Sequence, residues 1–255
     1  MLLSELKAFL DEKYSQYNCV SFIETDPISI PRLFSRKEDI EIAGFLSATI
    51  AWGQRITIIR NANKLVELMD GQPYEYLTNS SFGDLKRFGT FVHRTFNGVD
   101  CSYFILALSE IYKEKGGLEK LFSDGLAIDG TIKTAITCFR EGFLSYVPPP
   151  RTGKHIANPS TGSSTKRINM FLRWMVRPAK CGVDFGLWNS IPTSALMMPL
   201  DVHSGNVARK LGLLHRTQND WQAVEELTAN LRLFDPADPV KYDFALFGLG
   251  AFEKF

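Results

Sequence analysis

The run Ile40-Glu41-Ile42-Ala43-Gly44-Phe45-Leu46-Ser47-Ala48-Thr49-Ile50-Ala51-Trp52 is apolar on nearly every side when wound as a helix. A helix of that kind is stable only when it is buried all round. It predicts a central core helix with Asp39 near its start. The helical period recurs on either side of it, in Leu2, Leu3, Leu6, Phe9 and Leu10, and in Ile56, Ile59, Ala62, Leu65, Val66 and Met69. It continues through Tyr103–Tyr112 and Ile132–Phe143. Strict alternation with period two is scarce, so the expected fold class is all-α.

Downstream, Ile168, Phe171, Leu172, Met175 and Val176 give the clearest helical stripe, over Arg167–Arg177, and Pro178 stops it. At 100° per residue Lys166, Met170, Arg173 and Arg177 are expected on the opposite side. A further helix is expected from Asp201, a suitable N-cap, to Gly212 or Leu214. Trp221–Leu233 is helical again, Asp235-Pro236-Ala237-Asp238-Pro239 marks a turn and a new start, and Tyr242–Gly250 is apolar enough for the core. Three consecutive prolines in Tyr146–Gly153 rule out helix there and read as a connector.

A chain of 255 residues, 45% hydrophobic and 22% charged, has ordinary globular proportions and is expected to fold as one unit, 1–255. Its net charge of +1 gives no whole-molecule reason to bind a polyanion, so any such argument must be local. Cys19, Cys101, Cys138 and Cys181 are too scattered for a zinc or iron-sulfur site and fit a reducing compartment. The stretch Met1–Leu10 is broken by charge and lacks the pattern of a signal peptide, and no apolar run approaches the roughly 20 residues of a membrane span. The expectation is a cytoplasmic protein with no cofactor, no metal, no membrane association and no obligate protein partner.

Between Gly142 and Val183 stand seven cations, Arg151, Lys154, Lys166, Arg167, Arg173, Arg177 and Lys180, and no carboxylate. That imbalance suggests an anionic partner such as a phosphate backbone, although a solvated cationic face has the same sequence. Small residues in Ser160–Thr165 lead into the helix, whose dipole and open N–H groups favour an anion. Gly162, Ser163 and Ser164, with Arg167, Arg173 and Arg177, are therefore candidate contacts to a nucleic-acid backbone; an ordinary Ser/Thr cap is the alternative.

Lys166 falls in the first turn of this helix, where the dipole and the neighbouring cations Arg167 and Arg173 disfavour an ammonium and favour the free amine. It is suited to be a Schiff-base nucleophile, although a lysine in a basic helix is more often a phosphate contact or simply solvated. Asp201, 35 positions on, is held as an anion by its own helix start. There it can steady an oxocarbenium-like centre or manage the lysine's protons, or simply cap the helix.

These residues resemble the helix-hairpin-helix DNA glycosylase superfamily, which includes endonuclease III and the 8-oxoguanine glycosylase-lyases. Gly162-Ser163-Ser164-Thr165-Lys166 resembles the G-x-G-x-K hairpin. Leu200-Asp201-Val202-His203, with Val207-Ala208-Arg209-Lys210-Leu211-Gly212-Leu213, resembles the V-D-T-H…R-V-x-x-R-L-G-L phrase. Leu46-Ser47-Ala48-Thr49-Ile50-Ala51-Trp52-Gly53-Gln54 resembles the early L-L-S-x-Q-T helix and its following loop. As a whole the chain looks like a member of an uncharacterised bacterial family related to that superfamily.

The resemblance implies two helical lobes with a central cleft, approximately 40–147 and 1–39 plus 148–255. It also implies duplex DNA with a damaged base or abasic site as partner, and a base flipped into a pocket. By that analogy Lys166 attacks the sugar C1′, a Schiff base forms and β-elimination follows, with Asp201 in support. The non-catalytic alternative is a helix-hairpin-helix nucleic-acid-binding protein that kept the hairpin and lost the chemistry. The chain departs from the pattern where Ser164 replaces the second glycine and where Cys181–Met198 lengthens the gap to the aspartate. Trp52, Gln54, Phe185 and Trp188 are candidates for the base pocket and equally for the core, His203 is a candidate for the pocket or a helix-start hydrogen-bonding residue, and Arg55 and His93 are candidates for a phosphate or base contact.

Overall fold

A computed structural model describes residues 2–180 and 182–255; Met1 and Cys181, one of the four scattered cysteines, lie outside the described residues. The chain is predominantly helical, and strand is confined, among the described residues, to one short antiparallel hairpin. The helices are α1 (Leu3–Tyr17), α2 (Lys37–Thr49), α3 (Arg55–Leu68), α4 (Pro73–Asn79), α5 (Gly98–Glu114), α6 (Leu118–Asp129), α7 (Ile132–Phe143), α8 (Lys166–Val176), α9 (Val202–Lys210), α10 (Trp221–Arg232) and α11 (Asp243–Ala251). Short 3-10 turns lie in the α1–α2, α4–α5, α7–α8, α8–α9 and α10–α11 connections. Among the described residues no helix is long and apolar enough to cross a membrane. The chain divides into two compact units, Glu24–Ala157 and Met1–Ile23 with Asn158–Phe255.

In the Glu24–Ala157 unit, α2 is the expected core helix, with every residue from Ile40 to Thr49 buried. Its single buried carboxylate, Glu41, accepts from the Tyr112 hydroxyl at 2.7 Å, which is how a charge survives there. Phe45 packs on Phe104, Phe139 and Phe143 with ring centres 5.5–6.1 Å apart, and Phe122 stacks on Phe139 at 4.2 Å. These offset and edge-on pairs are the favoured aromatic geometry. The helix stops at Thr49, so Trp52 stands in the loop beyond it and not in the core helix. After α4 the hairpin β1 (Val92–His93) and β2 (Phe96–Asn97) turns through Arg94, which is left-handed at φ 54°. Asn97 then caps α5 by accepting from the Asp100 N–H.

In the other unit, α8 is buried from Ile168 through Val176. This corrects the expected cationic solvent face: Met170 is 7% exposed, Arg173 4% and Arg177, just past the helix, 3%. The arginines are inside because the carboxylates that neutralise them are inside too. Arg173 pairs with Asp184 and Asp243, and Arg177 with Asp184 and Asp238. The acid-free window in sequence is thus balanced by carboxylates that lie outside it. Neither arginine is available to a phosphate.

α11 packs against both α1 and α9. Gly248 permits the first contact, since a Cβ there would lie 2.1 Å from the Tyr17 ring. Gly250 permits the second, since a Cβ there would meet His203 at 3.0 Å. Gly212 follows α9 in the left-handed region at φ 72°, the expected stop.

Candidate functional site

The turn before α8 is built by backbone conformation. Gly162 is left-handed at φ 90°, and so, less comfortably for a β-branched residue, is Thr165 at φ 46°. Ser164, which replaces the second glycine of the resembled hairpin, has no positive φ, so a serine is accommodated without strain. The amides of Gly162, Ser163 and Thr165 donate to Pro159 O, Asn158 O and Ser163 Oγ at 3.0, 3.2 and 3.3 Å. These three N–H groups are therefore occupied within the turn, which differs from the phosphate cradle expected of Gly162 and Ser163. The Gly162 carbonyl accepts from Trp221 N at 3.0 Å and fixes the turn to the start of α10.

Lys166 begins α8 and Asp201 caps α9. The Lys166 Nζ lies 3.8 Å from Asp201 Oδ2, with the two side chains 26% and 22% exposed. The carboxylate divides its work. Oδ1 accepts from the Ser204 amide at 3.0 Å and its hydroxyl at 3.3 Å, while Oδ2 faces the amine. The Asp201 amide in turn donates to Ser204 Oγ at 3.0 Å, which closes the capping box and fixes the side chain's direction. An amine and a carboxylate at this distance, both reachable from water, can exchange a proton through one water. Arg167 is partly buried, and burial pulls its guanidinium down to about 10.

The structure adds a residue that sequence reasoning passed over. Asp243 opens α11 and is 5% exposed. Burial pushes its carboxyl up to about 6; Arg173 opposes that shift, Asp201 reinforces it and Lys166 opposes it. Asp243 is thus within electrostatic reach of both members of the Lys166–Asp201 pair. Its one sequence signal was a lone acid opening the apolar run Asp243-Phe244-Ala245-Leu246-Phe247.

A raised carboxyl binds its proton more tightly folded than unfolded. Its stabilising contribution is complete below the ordinary value of 3.8 and is lost as pH rises through about 6. Relative to Asp243→Asn, the wild type is expected to lose on the order of 2 kcal/mol of unfolding free energy between about pH 4 and pH 7. Denaturant titrations of both proteins across that range measure the difference, and parallel curves would refute the assignment.

Of the remaining candidates, Phe185, Trp188 and His203 belong to the same unit as the pair. Trp188 is 1% exposed and edge-on to Phe171 at 5.4 Å, so it is core and cannot stack on an extruded base. Phe185 is partly buried, with its amide donating to Trp174 O at 2.8 Å. His203 is exposed in the first turn of α9, 6.3 Å from the Phe247 ring centre.

Trp52 and Gln54 belong to the Glu24–Ala157 unit. Gln54 is exposed at the start of α3. Trp52 is edge-on to His93 at 4.8 Å and stacked near His155 at 6.1 Å. His93, 2% exposed, has Nε2 3.1 Å from Trp52 O and Nδ1 2.9 Å from Asn61 Nδ2. A neutral ring protonated on Nε2 satisfies both. His93 therefore anchors the Trp52 loop and does not meet a phosphate or base. Among the described residues no group of three or more His, Cys, Asp and Glu side chains is placed to hold a metal ion.

Residues 26–252 match the family described as "Protein of unknown function (DUF2400)", and the chain belongs to that family. No curated protein and no solved structure matches the chain.

Proposed function

We propose that this protein is a DNA-repair glycosylase with β-lyase activity, of the helix-hairpin-helix kind, acting in the cytoplasm on duplex DNA that carries a damaged base or an abasic site. The observation that supports it is the 3.8 Å approach of the Lys166 amine, at the head of a helix, to the Asp201 carboxylate. Sequence separates the two by 35 residues, and the fold brings them together. In this reading the free amine adds to the sugar C1′ as the N-glycosidic bond breaks, and the base leaves with the bonding pair and a proton. Asp201 accepts the amine's proton and steadies the positive charge at C1′. The C1′–O4′ bond of that glycosylamine then breaks as O4′ takes the proton back from Asp201, and the ring-opened iminium loses a C2′ proton and expels the 3′ phosphate. Lys180, exposed in the same unit as the pair, is a cation of the window offered for backbone contact.

Borohydride reduces such an iminium to a stable amine that joins protein to DNA. Oligonucleotides with single lesions or abasic sites, incubated with protein and borohydride, are expected to yield a covalent adduct. Lys166→Ala should abolish it, and Asp201→Asn should slow it by about 10²–10⁴-fold, the usual worth of a positioned acid-base group. Binding without adduct or released base on any lesion would instead favour the non-catalytic nucleic-acid-binding reading.

A further inference from the structure

We propose that Asn169 is a positioning residue for the Lys166–Asp201 pair, a clamp joining the chain segment that delivers the amine to the one that delivers the carboxylate. The proposal rests on the reading of that pair as the reacting groups. Asn169 lies on α8, one turn after Lys166, and is 1% exposed. Its Nδ2 is 3.2 Å from Ser164 O, 3.2 Å from Thr165 Oγ1 and 3.4 Å from Met198 O. Two of these acceptors are carbonyl oxygens, which can only accept, so the amide nitrogen must face them and the side-chain orientation is fixed. The two N–H groups are shared among three acceptors.

Each acceptor sits where it matters. Ser164 and Thr165 immediately precede Lys166, and Thr165 is a β-branched residue held left-handed at φ 46°. That conformation persists only where neighbours enforce it. Because it is the last residue before α8, it sets the direction in which Lys166 leaves the turn. Met198 lies three residues before Asp201, and its amide donates to Thr228 Oγ1 on α10 at 3.1 Å. The Met198 backbone is thus held on both sides of its Cα, by α10 through its amide and by α8 through its carbonyl and Asn169. The bridge is made by groups other than the amine and carboxylate themselves.

The other end of the side chain supports the same conclusion. Asn169 Oδ1 is buried with no hydrogen-bond partner among the described residues. Such an orphan is unfavourable, and leucine, of nearly the same shape, would avoid it between the buried Ile168 and Met170. What leucine lacks is the donating nitrogen. The asparagine is accounted for by what its Nδ2 holds.

The test measures coupling within the pair without any nucleic acid. Acetic anhydride at fixed pH acetylates lysines at rates that mass spectrometry resolves site by site. Wild type, Asp201→Asn, Asn169→Leu and the double variant form a cycle. Removing the Asp201 charge is expected to change the Lys166 rate by about threefold or more in the wild-type background. In the Asn169→Leu background it should leave the rate unchanged, while Lys210 serves as the internal reference. Equal effects in both backgrounds, or no effect of Asp201→Asn in the wild type, overturn the proposal.

Asn169→Leu should also lower the borohydride-trapping rate by about 10²-fold with DNA affinity retained, as expected of a misplacement near 1 Å. If the wild type forms no adduct, the glycosylase reading fails while the acetylation cycle still decides the clamp. Should Asn169→Leu not fold, Asn169→Ser keeps one donor, and an intermediate loss of coupling is the supporting result. Full coupling in that variant overturns the clamp.

Discussion

Arg173→Met is expected to destabilise the fold by about 3–5 kcal/mol, the cost of removing one partner from a buried ion pair. Its guanidinium stands between Asp184, with Nε 3.3 Å from Oδ1, and Asp243, and lies 4.2 Å over the Phe244 ring. Methionine fills much of the volume but leaves two carboxylates in a region shielded from water. The network continues through Arg177, whose Nη1 is 2.5 Å from Asp184 Oδ2 and whose Nη2 is 2.9 Å from Asp238 Oδ2. Burial acting alone would lower the Arg177 guanidinium; Asp184 and Asp238 outweigh it and hold it above its ordinary value. Denaturant-induced unfolding gives the number directly. A loss below about 1 kcal/mol, together with a shallower salt dependence of DNA binding, would return Arg173 to the role of phosphate contact.

That case shows which parts of the molecule could be read from the chain. α2, α8 and α9 were legible because each carries a local signal: a continuous apolar run, a stripe ended by Pro178, and an Asp201 cap with Gly212 beyond. α6 was not read, and it packs on α7 through Gly125, where a Cβ would lie 2.9 Å from Ala135 Cα. Nothing local reports that approach. The cations of α8 were visible, but their partners Asp184, Asp238 and Asp243 lie up to 70 residues away. Charge counted in a window cannot tell a solvated face from a buried network. The Lys166–Asp201 pair could be proposed because both residues sit at helix starts with recognisable phrases around them. Asn169 and Asp243 have no such phrase, and their roles come from segments brought together only by folding.

The second large effect belongs to the Glu24–Ala157 unit. Gly98→Ala is expected to destabilise by at least about 3 kcal/mol, at or beyond the upper end of ordinary overpacking. A Cβ on Gly98 would lie 1.9 Å from the Gly89 carbonyl oxygen and 2.3 Å from its carbon. The obstacle is backbone, so no side-chain rotation can relieve it. Either the Gly89 turn or the first turn of α5 has to move, and Asn97, which caps that turn, joins β2 to it. Movement there also disturbs Asp100, a fully buried carboxylate that accepts from Thr152 Oγ1 at 2.9 Å and lies 3.3 Å from His155 Nε2. The strain should therefore reach His155 and the Trp52 ring stacked near it, and a change in tryptophan emission should accompany the lost stability. Gly83→Ala is the control, since a Cβ there meets only Ser81 Oγ, at 3.5 Å, and its cost should stay within about 0.5 kcal/mol. If Gly98→Ala proves as mild as the control, the close approach of Gly89 to α5 is wrong, and with it the account of how this hairpin is held.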